Sequence, residues 1–371
     1  MLRPLGVSIS LAAAILLAAH GGRAHALPSQ QQVLSLADDA WQPASIAWNG
    51  QTRSGLLRRF LAGDTDLEEV LDIAVTNELD VWQVTPDHVD VYWPPPTSQS
   101  GAAAFEDHLA DYAHSAHSIP IPAPHTPGTS PARDSLNWTS SPASSIFHDD
   151  YHPLHEIESF MSELAQEHPD IVQVVRVGIS GKGRELLGVR IGSPAIWQRK
   201  GKKPKGKTPP SKEKMGFVIT GAQHAREWVA TSTTLYLMHA LVANSTGPDS
   251  LKSLLEHFTF YIIPTPNPDG YAYTWESDRF WYKNRMHTGP NSKCVGVDMN
   301  RNWGYKWRPD VSFTSSLNAS TKLPPPIDAC SQWYPGNRAF QAPEVNHIAT
   351  YVETLPNLKA FVDLRSYGQM R

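Results

Sequence analysis

Gly216–Trp228 reads GFVITGAQHAREW. The first half is a short apolar run rich in β-branched residues, the pattern of a buried strand, and it leads directly into His224, Ala225, Arg226 and Glu227. An imidazole, a guanidinium and a carboxylate at a strand's end put chemistry where α/β proteins place their sites. His224 and Glu227 are both competent zinc ligands, and a catalytic zinc takes three protein ligands and keeps one position open for water. The HxxE spacing is short, so read alone it describes equally well an ion pair at the start of a helix.

On either side, strand-like and helix-like segments alternate. HDDYHPLHEIESFMSELAQEHPD is amphipathic at helical spacing; IVQVVRVGIS and LLGVRIG are apolar strands joined by a Gly-Lys-Gly turn. WVATSTTLYLMHALVAN reads as a helix, and HFTFYIIPTPNPDG and LKAFVDLRS as strands. This order predicts an α/β domain, a mixed sheet flanked by helices, over 147–371. Asn267-Pro268-Asp269-Gly270 reads as a turn, and Arg199–Lys214 (RKGKKPKGKTPPSKEK) as a solvated basic loop, with a polyanion-binding loop as the other reading.

Ahead of that domain, residues 27–93 predict a small α+β unit. LLRRFLAGDTDLEEVLDIAVTNELDVWQV holds helical spacing and HVDVYW alternates like a strand. Residues 94–146 turn to Pro, Ser, Ala, Thr and His, the composition of an exposed connector. Met1–Ala26 carries Arg3, a short apolar run and Ala24-His25-Ala26, which reads as a cleavable secretory signal. The run is shorter than the ~20 apolar residues that a membrane-spanning helix needs. A secreted protein is therefore expected, with the vacuole reached by the same route. The sequons at Asn137, Asn244 and Asn318 fit that route as glycosylation sites.

The 371 residues are 40% hydrophobic, with 32 Lys+Arg against 36 Asp+Glu for a net charge of −4. A disordered, collagen-like or coiled-coil chain is excluded, and nucleic acid is not an expected partner. Only Cys294 and Cys330 are present; in a secreted chain an even count favours pairing, with two buried thiols as the alternative. Val297–Trp303 (VDMNRNW) sets Asn300 and Arg301 between hydrophobic positions, and arginine is suited to bidentate capture of a carboxylate.

Together, GAQHAREW, NPDGYAYTW, CVGVDMNRNW and AFVDLRSYGQ resemble the zinc carboxypeptidases of the carboxypeptidase A type from about Tyr151 onward. The unit with LDVWQV and VDVYWPPP resembles, less specifically, that family's activation propeptide, which caps the active site. The resemblance implies one zinc site with His224 and Glu227 as its first two ligands. It also implies that Asn300 and Arg301 hold a substrate's terminal carboxylate, that Arg226 is a subsite arginine, and that Cys294 and Cys330 form the family disulfide.

The chain departs from the family in three places. Arg365 stands where the third zinc ligand, a histidine, precedes Ser366-Tyr367, and a guanidinium has no lone pair for a metal. Zinc is therefore expected to be weak or absent, with His239, His287 and His347 as the only histidines weighed as substitutes. Tyr282 stands at the arginine that stabilises the oxyanion, a loss that costs ~2.7–4 kcal/mol in the barrier, with Arg279 and Arg285 nearby as partial replacements. The resemblance stops at Arg371, before the family's catalytic glutamate, so the domain reads as C-terminally truncated.

The leading reading is a secreted, inactive metallocarboxypeptidase-like protein. FVDLRSYGQ and RFWYKNR are similar to filamentous-fungal members regarded as inactive and linked to cell wall organisation. The alternatives are an active zinc exopeptidase that releases C-terminal residues from peptides, and a non-catalytic module that binds the C-termini of peptides or proteins through Arg226, Asn300 and Arg301, with Arg279 and Tyr282 lining the same site.

Overall fold

The computed structural model describes residues 53–77, 79–93, 109–121, 139, 141–192, 214–244, 250–289, 292–309 and 329–366. The signal segment 1–26, the sequon residues Asn137 and Asn318 and nearly all of the basic loop 199–214 lie outside them. Asn244 is exposed just after a helix. No helix among the described residues is long and apolar enough to cross a membrane.

The N-terminal part is a four-stranded antiparallel sheet in the order β2-β3-β1-β4, built from β1 (Arg53–Leu61), β2 (Asp80–Val84), β3 (His88–Trp93) and β4 (Ser115–Ile121). Helix α1 (Leu67–Thr76) lays Val70, Leu71 and Ala74 on Phe60, Val81, Val89 and Val91.

Two expectations are corrected here. LLRRFL is strand β1 and DVWQV strand β2, and neither is helix: the period of so short a run is ambiguous, β3 and β4 pair with β1 on both sides, and β3 pairs with β2. The connector 94–146 contains strand β4, whose Pro120 is tolerated because β4 is an edge strand.

The second sheet is mixed, in the order β5-β6-β8-β7-β9, with β5 (Val172–Ile179), β6 (Glu185–Ile191), β7 (Met215–Thr220), β8 (Phe258–Ile263) and β9 (Leu358–Asp363). β5, β6 and β8 pair antiparallel, whereas β8, β7 and β9 run parallel. Alternation along each strand sorts side chains between the two faces. Leu187, Val189, Ile191, Phe217, Ile219, Phe260 and Ile262 face α2 (Leu154–Glu167), α3 (Trp228–Val242) and α4 (Pro268–Glu276). Leu186 and Ile263 pack on the opposite side with Ile348 of α5 (Pro343–Glu353).

The expected α/β architecture, a mixed sheet with helices on both faces behind a small α+β unit, is therefore present. α3 buries Leu235, Met238 and Leu241 together with Thr231, Thr234 and His239, and leaves only a narrow stripe of Val229, Thr233 and Tyr236 exposed.

The Asn267–Gly270 turn is corrected in the same way: Asn267 caps α4, its side chain accepting from the Gly270 amide, and Pro268 opens the helix, where its missing N–H costs nothing. The parallel ends of β7, β8 and β9 bring three loops to one edge, the crevice in which the candidate residues meet.

Candidate functional site

The loop after β7 carries His224 and Glu227, both almost wholly buried. His224 Nε2 lies 2.9 Å from Asp298 Oδ1, and its Nδ1 lies 2.9 Å from Glu227 Oε1. Both ring nitrogens thus face a carboxylate oxygen, and an aspartate–histidine pair of this kind fixes ring orientation in metal-ligating histidines.

The space beside His224 and Glu227 is filled by Arg365, just past β9. Its Nε donates to Glu227 Oε2 at 2.9 Å and its Nη2 to Glu227 Oε1 at 3.1 Å, a bidentate pair, and Nη2 also packs on the His224 ring nitrogens. Its Nη1 donates to Asp363 Oδ2 at 3.1 Å, and Asp363 Oδ1 accepts from Thr220 Oγ1 at 2.7 Å, tying β9 to β7. The Ser366 amide donates to Glu227 Oε2 at 3.3 Å.

The electrostatics follow from these contacts. Burial opposes ionisation of Asp298, yet Arg301 and His224 outweigh it and bring the carboxyl down to about 2. Burial likewise opposes ionisation of Glu227, and the His224 hydrogen bond with the charges of His224 and Arg365 reverses it, so its pKa is lowered. The Arg365 guanidinium is raised: burial works against its charge, but Glu227 and Asp363 prevail. A zinc site needs three lone-pair donors, and this pocket supplies two and a cation. Among the described residues no group of three or more His, Cys, Asp or Glu side chains is arranged to hold a metal ion. The residues present do not fit zinc.

Two of the substitute histidines are engaged elsewhere: His239 Nδ1 pairs with His148 Nε2 at 2.9 Å, and His347 Nδ1 lies 3.0 Å from the Ile179 carbonyl. His287 sits in an isolated backbone bridge with Val295.

Tyr282 is buried with its ring stacked on His224, centroids 3.5 Å apart, and edge-on to Trp333. Burial, then the Asp298 charge, raises its phenol far above the ordinary value, so it stays neutral. The nearby arginines are committed to structure. Arg279 Nη1 donates to the Arg226 carbonyl at 2.9 Å with its guanidinium 3.7 Å from the Trp228 ring, and burial lowers its pKa to about 10. Arg285 lies over Tyr273 and Trp281.

The carboxylate-binding candidates are partly engaged. Arg301 Nη1 lies 3.3 Å from Asp298 Oδ2 and its guanidinium covers Trp333, whereas Asn300 is exposed beside it. Arg226 Nη1 donates to Asp80 Oδ2 of β2 at 2.6 Å, and Trp82 of the same strand packs on Phe280. The N-terminal sheet thus presents a carboxylate to Arg226.

Asn267 holds the scaffold from beneath, its Nδ2 donating to the carbonyls of Gln223 and Lys283, next to His224 and Tyr282 respectively. Cys294 and Cys330 are joined as a disulfide, and Gly296, at φ +91, turns the chain where a Cβ would meet the Asn284 carbonyl, just ahead of Asp298. Asp298, Asp363, Asp80 and Asn267 are the site residues that the sequence reading passed over. Asp298 had a usable signal, since the second ring nitrogen of a metal-ligating histidine is held by a carboxylate, a backbone carbonyl or water.

Residues 157–371 match the sequence profile of the peptidase M14 family, zinc carboxypeptidase. The inactive metallocarboxypeptidase ECM14 of Uncinocarpus reesii (strain UAMH 1704) is 30% identical over 366 residues, covering 92% of this chain and 58% of that protein. The inactive metallocarboxypeptidase ECM14 of Ajellomyces dermatitidis (strain ER-3 / ATCC MYA-2586) is 36% identical over 247 residues, 65% of this chain and 37% of that protein. The matched part of this chain thus spans between about a third and little more than half the length of these curated relatives.

Among solved structures, carboxypeptidase A from Helicoverpa armigera superposes with a TM-score of 0.62 at 26% identity, over 85% of this chain and 70% of that one. Thrombin activatable fibrinolysis inhibitor shares the fold, with a TM-score of 0.59 at 23% identity over 86% of this chain and 73% of that one. With more than half of its length inside the family profile and the curated relative from Uncinocarpus reesii aligned along nearly all of it, the chain belongs to the zinc carboxypeptidase family.

Proposed function

We propose that this protein is a secreted, catalytically inactive metallocarboxypeptidase-like protein with a role in cell wall organisation. The observation that carries the inactivity is the Arg365 guanidinium seated on both His224 and Glu227, the two residues that would begin a zinc site. Tyr282 adds to it: a neutral ring pressed on His224 offers no charge to a developing oxyanion. Relatives that are named inactive support the same reading. Secretion rests on the signal-like start, and the cell wall role on the fungal proteins whose motifs the chain resembles. The N-terminal sheet is read as a propeptide-like cap, since its Asp80 covers Arg226.

The test is incubation of the purified protein with peptides of varied C-terminal residue, followed by mass spectrometry. No loss of the terminal residue is expected. Release that a zinc chelator abolishes would restore the enzyme reading.

A second reading, recognition of C-termini without cleavage, is favoured by one observation: a side-chain carboxylate is already seated on Arg226. Calorimetry with free and amidated C-terminal peptides tests it, and indifference to amidation removes it.

A further inference from the structure

The pocket keeps most of what surrounds a metal ligand pair and differs at one point. His224 is held between Asp298 and Glu227, and Asp363, bonded to Thr220, is joined to Glu227 through Arg365. Two carboxylates thus meet one imidazole, with a third linked to them by the guanidinium. Buried carboxylates persist when a cation or a set of hydrogen bonds compensates them. Here Arg301 serves Asp298, and Arg365 serves Glu227 and Asp363 together while meeting His224.

We infer that Arg365 is the resident cation of this pocket, a protein-borne replacement for a metal ion that neutralises the acidic cluster and pins the end of β9 to the loop after β7 without any metal. The inference deepens the non-catalytic reading of the same site. Geometry sets the assignment. The Nη2 atom lies against the His224 ring nitrogens and 3.1 Å from Glu227 Oε1, so one nitrogen meets both groups that would share a metal. The guanidinium's fork then closes on the second Glu227 oxygen through Nε. A planar group with five donors and no acceptor satisfies such acceptors, as a dication would, and leaves none of them open to an ion from solution. Because the Ser366 amide also reaches Glu227 Oε2, the backbone passes close to the ligand pair, and a side chain shorter than arginine at 365 still reaches it.

The test uses the purified full chain. Zinc content is measured by elemental mass spectrometry after dialysis against zinc, and thermal unfolding is followed in chelator and in excess zinc. The expected result for the wild-type protein is substoichiometric zinc and one melting temperature in both solutions. Arg365→His replaces the cation by a third lone-pair donor. It is expected to bind zinc at least ~100-fold more tightly than wild type and to melt higher with zinc than with chelator.

Stoichiometric zinc on the wild-type protein, or a zinc-dependent rise in its melting temperature, overturns the inference. A folded Arg365→His protein that gains no zinc affinity overturns it as well. The wild-type measurements decide by themselves, whatever the yield of the variant. Zinc without peptide hydrolysis removes this inference and leaves the non-catalytic reading intact; hydrolysis removes that reading.

Discussion

Arg226 Nη1 donates to Asp80 Oδ2 at 2.6 Å, a bond between residues 146 positions apart that joins β2 of the N-terminal sheet to the loop after β7. Both side chains are largely shielded, at 8% and 19% exposure, so the pair is not screened as a surface bridge would be. Asp80→Asn is expected to weaken the hold of the N-terminal sheet by about 1–3 kcal/mol, the cost of losing a shielded charge-assisted bond. After limited proteolysis between 122 and 138, which leaves β1 to β4 on one fragment, size-exclusion chromatography should find the two fragments together in the wild-type protein and separated more readily in the variant. Unchanged co-elution in the variant would show that apolar contacts, such as Trp82 with Phe280 and Trp333 with the N-terminal core, carry the hold instead.

Asn267 both caps α4 and bridges the loops that carry His224 and Tyr282. Asn267→Ala removes the cap, worth about 0.5–2 kcal/mol. It also leaves the buried Gln223 and Lys283 carbonyls without their donor, which adds about 1–3 kcal/mol. A drop in the urea midpoint with an unchanged m-value is the expected readout, because the native fold persists.

His148 and His239 share a hydrogen bond at 2.9 Å beneath the segment that enters α2. Burial first, then the facing His239 and His152, lowers His148 to about 4; burial first, then His168, lowers His239 to about 4 against a raising contact from the Thr139 backbone. Both folded values lie below the unfolded one near 6.5. The unfolded chain therefore binds more protons between these limits, and stability falls as pH drops from about 6.5 to about 4, with a slope of at most about two protons. Denaturant titrations across that range check the sign, and His148→Phe should flatten part of the slope.

The Cys294–Cys330 disulfide spans 36 positions. Chain-entropy arithmetic for a loop of that size gives about 3–4 kcal/mol, acting mainly on the unfolded chain. A Cys294→Ser/Cys330→Ser double variant should therefore melt markedly lower than the oxidised protein, and adding reductant to the wild type should reproduce that loss while leaving the variant unmoved.

The sequence made the α/β domain legible because its strands are short apolar runs and α2 holds a clear helical period, whereas α3 is marked only by its length and α4 reads as a turn. It misled at LLRRFL, where six residues satisfy either period and only pairing with β3 and β4 decides. It misled again at SAHSIPI, a strand hidden in a composition typical of connectors.

At the site, Arg365 and Tyr282 could be recognised as chemically wrong for zinc hydrolysis, since lone pairs and charge belong to residue type. Where a long guanidinium goes is not a property of residue type. Its contact with Glu227 depends on β9 lying beside β7, a relation across 138 positions. Asp80 and Asp363 went unread for the same reason, as their partners are set by tertiary packing. Arg279 and Arg285 sit close to Tyr282 in sequence, yet their guanidiniums are spent on Trp228, Tyr273 and Trp281.

The distance along the chain between Glu227 and Arg365 also sets the order of events during synthesis. Glu227 leaves the ribosome well before residue 365, so a nascent chain holds an acid whose arginine partner has not yet been made, whereas Asp298 is followed at once by Arg301. At 5–20 residues per second, roughly 7 to 28 seconds pass between the two ends of that contact. The pocket can close only after β9 has emerged and docked on β7, which makes this site one of the last parts of the described fold to form.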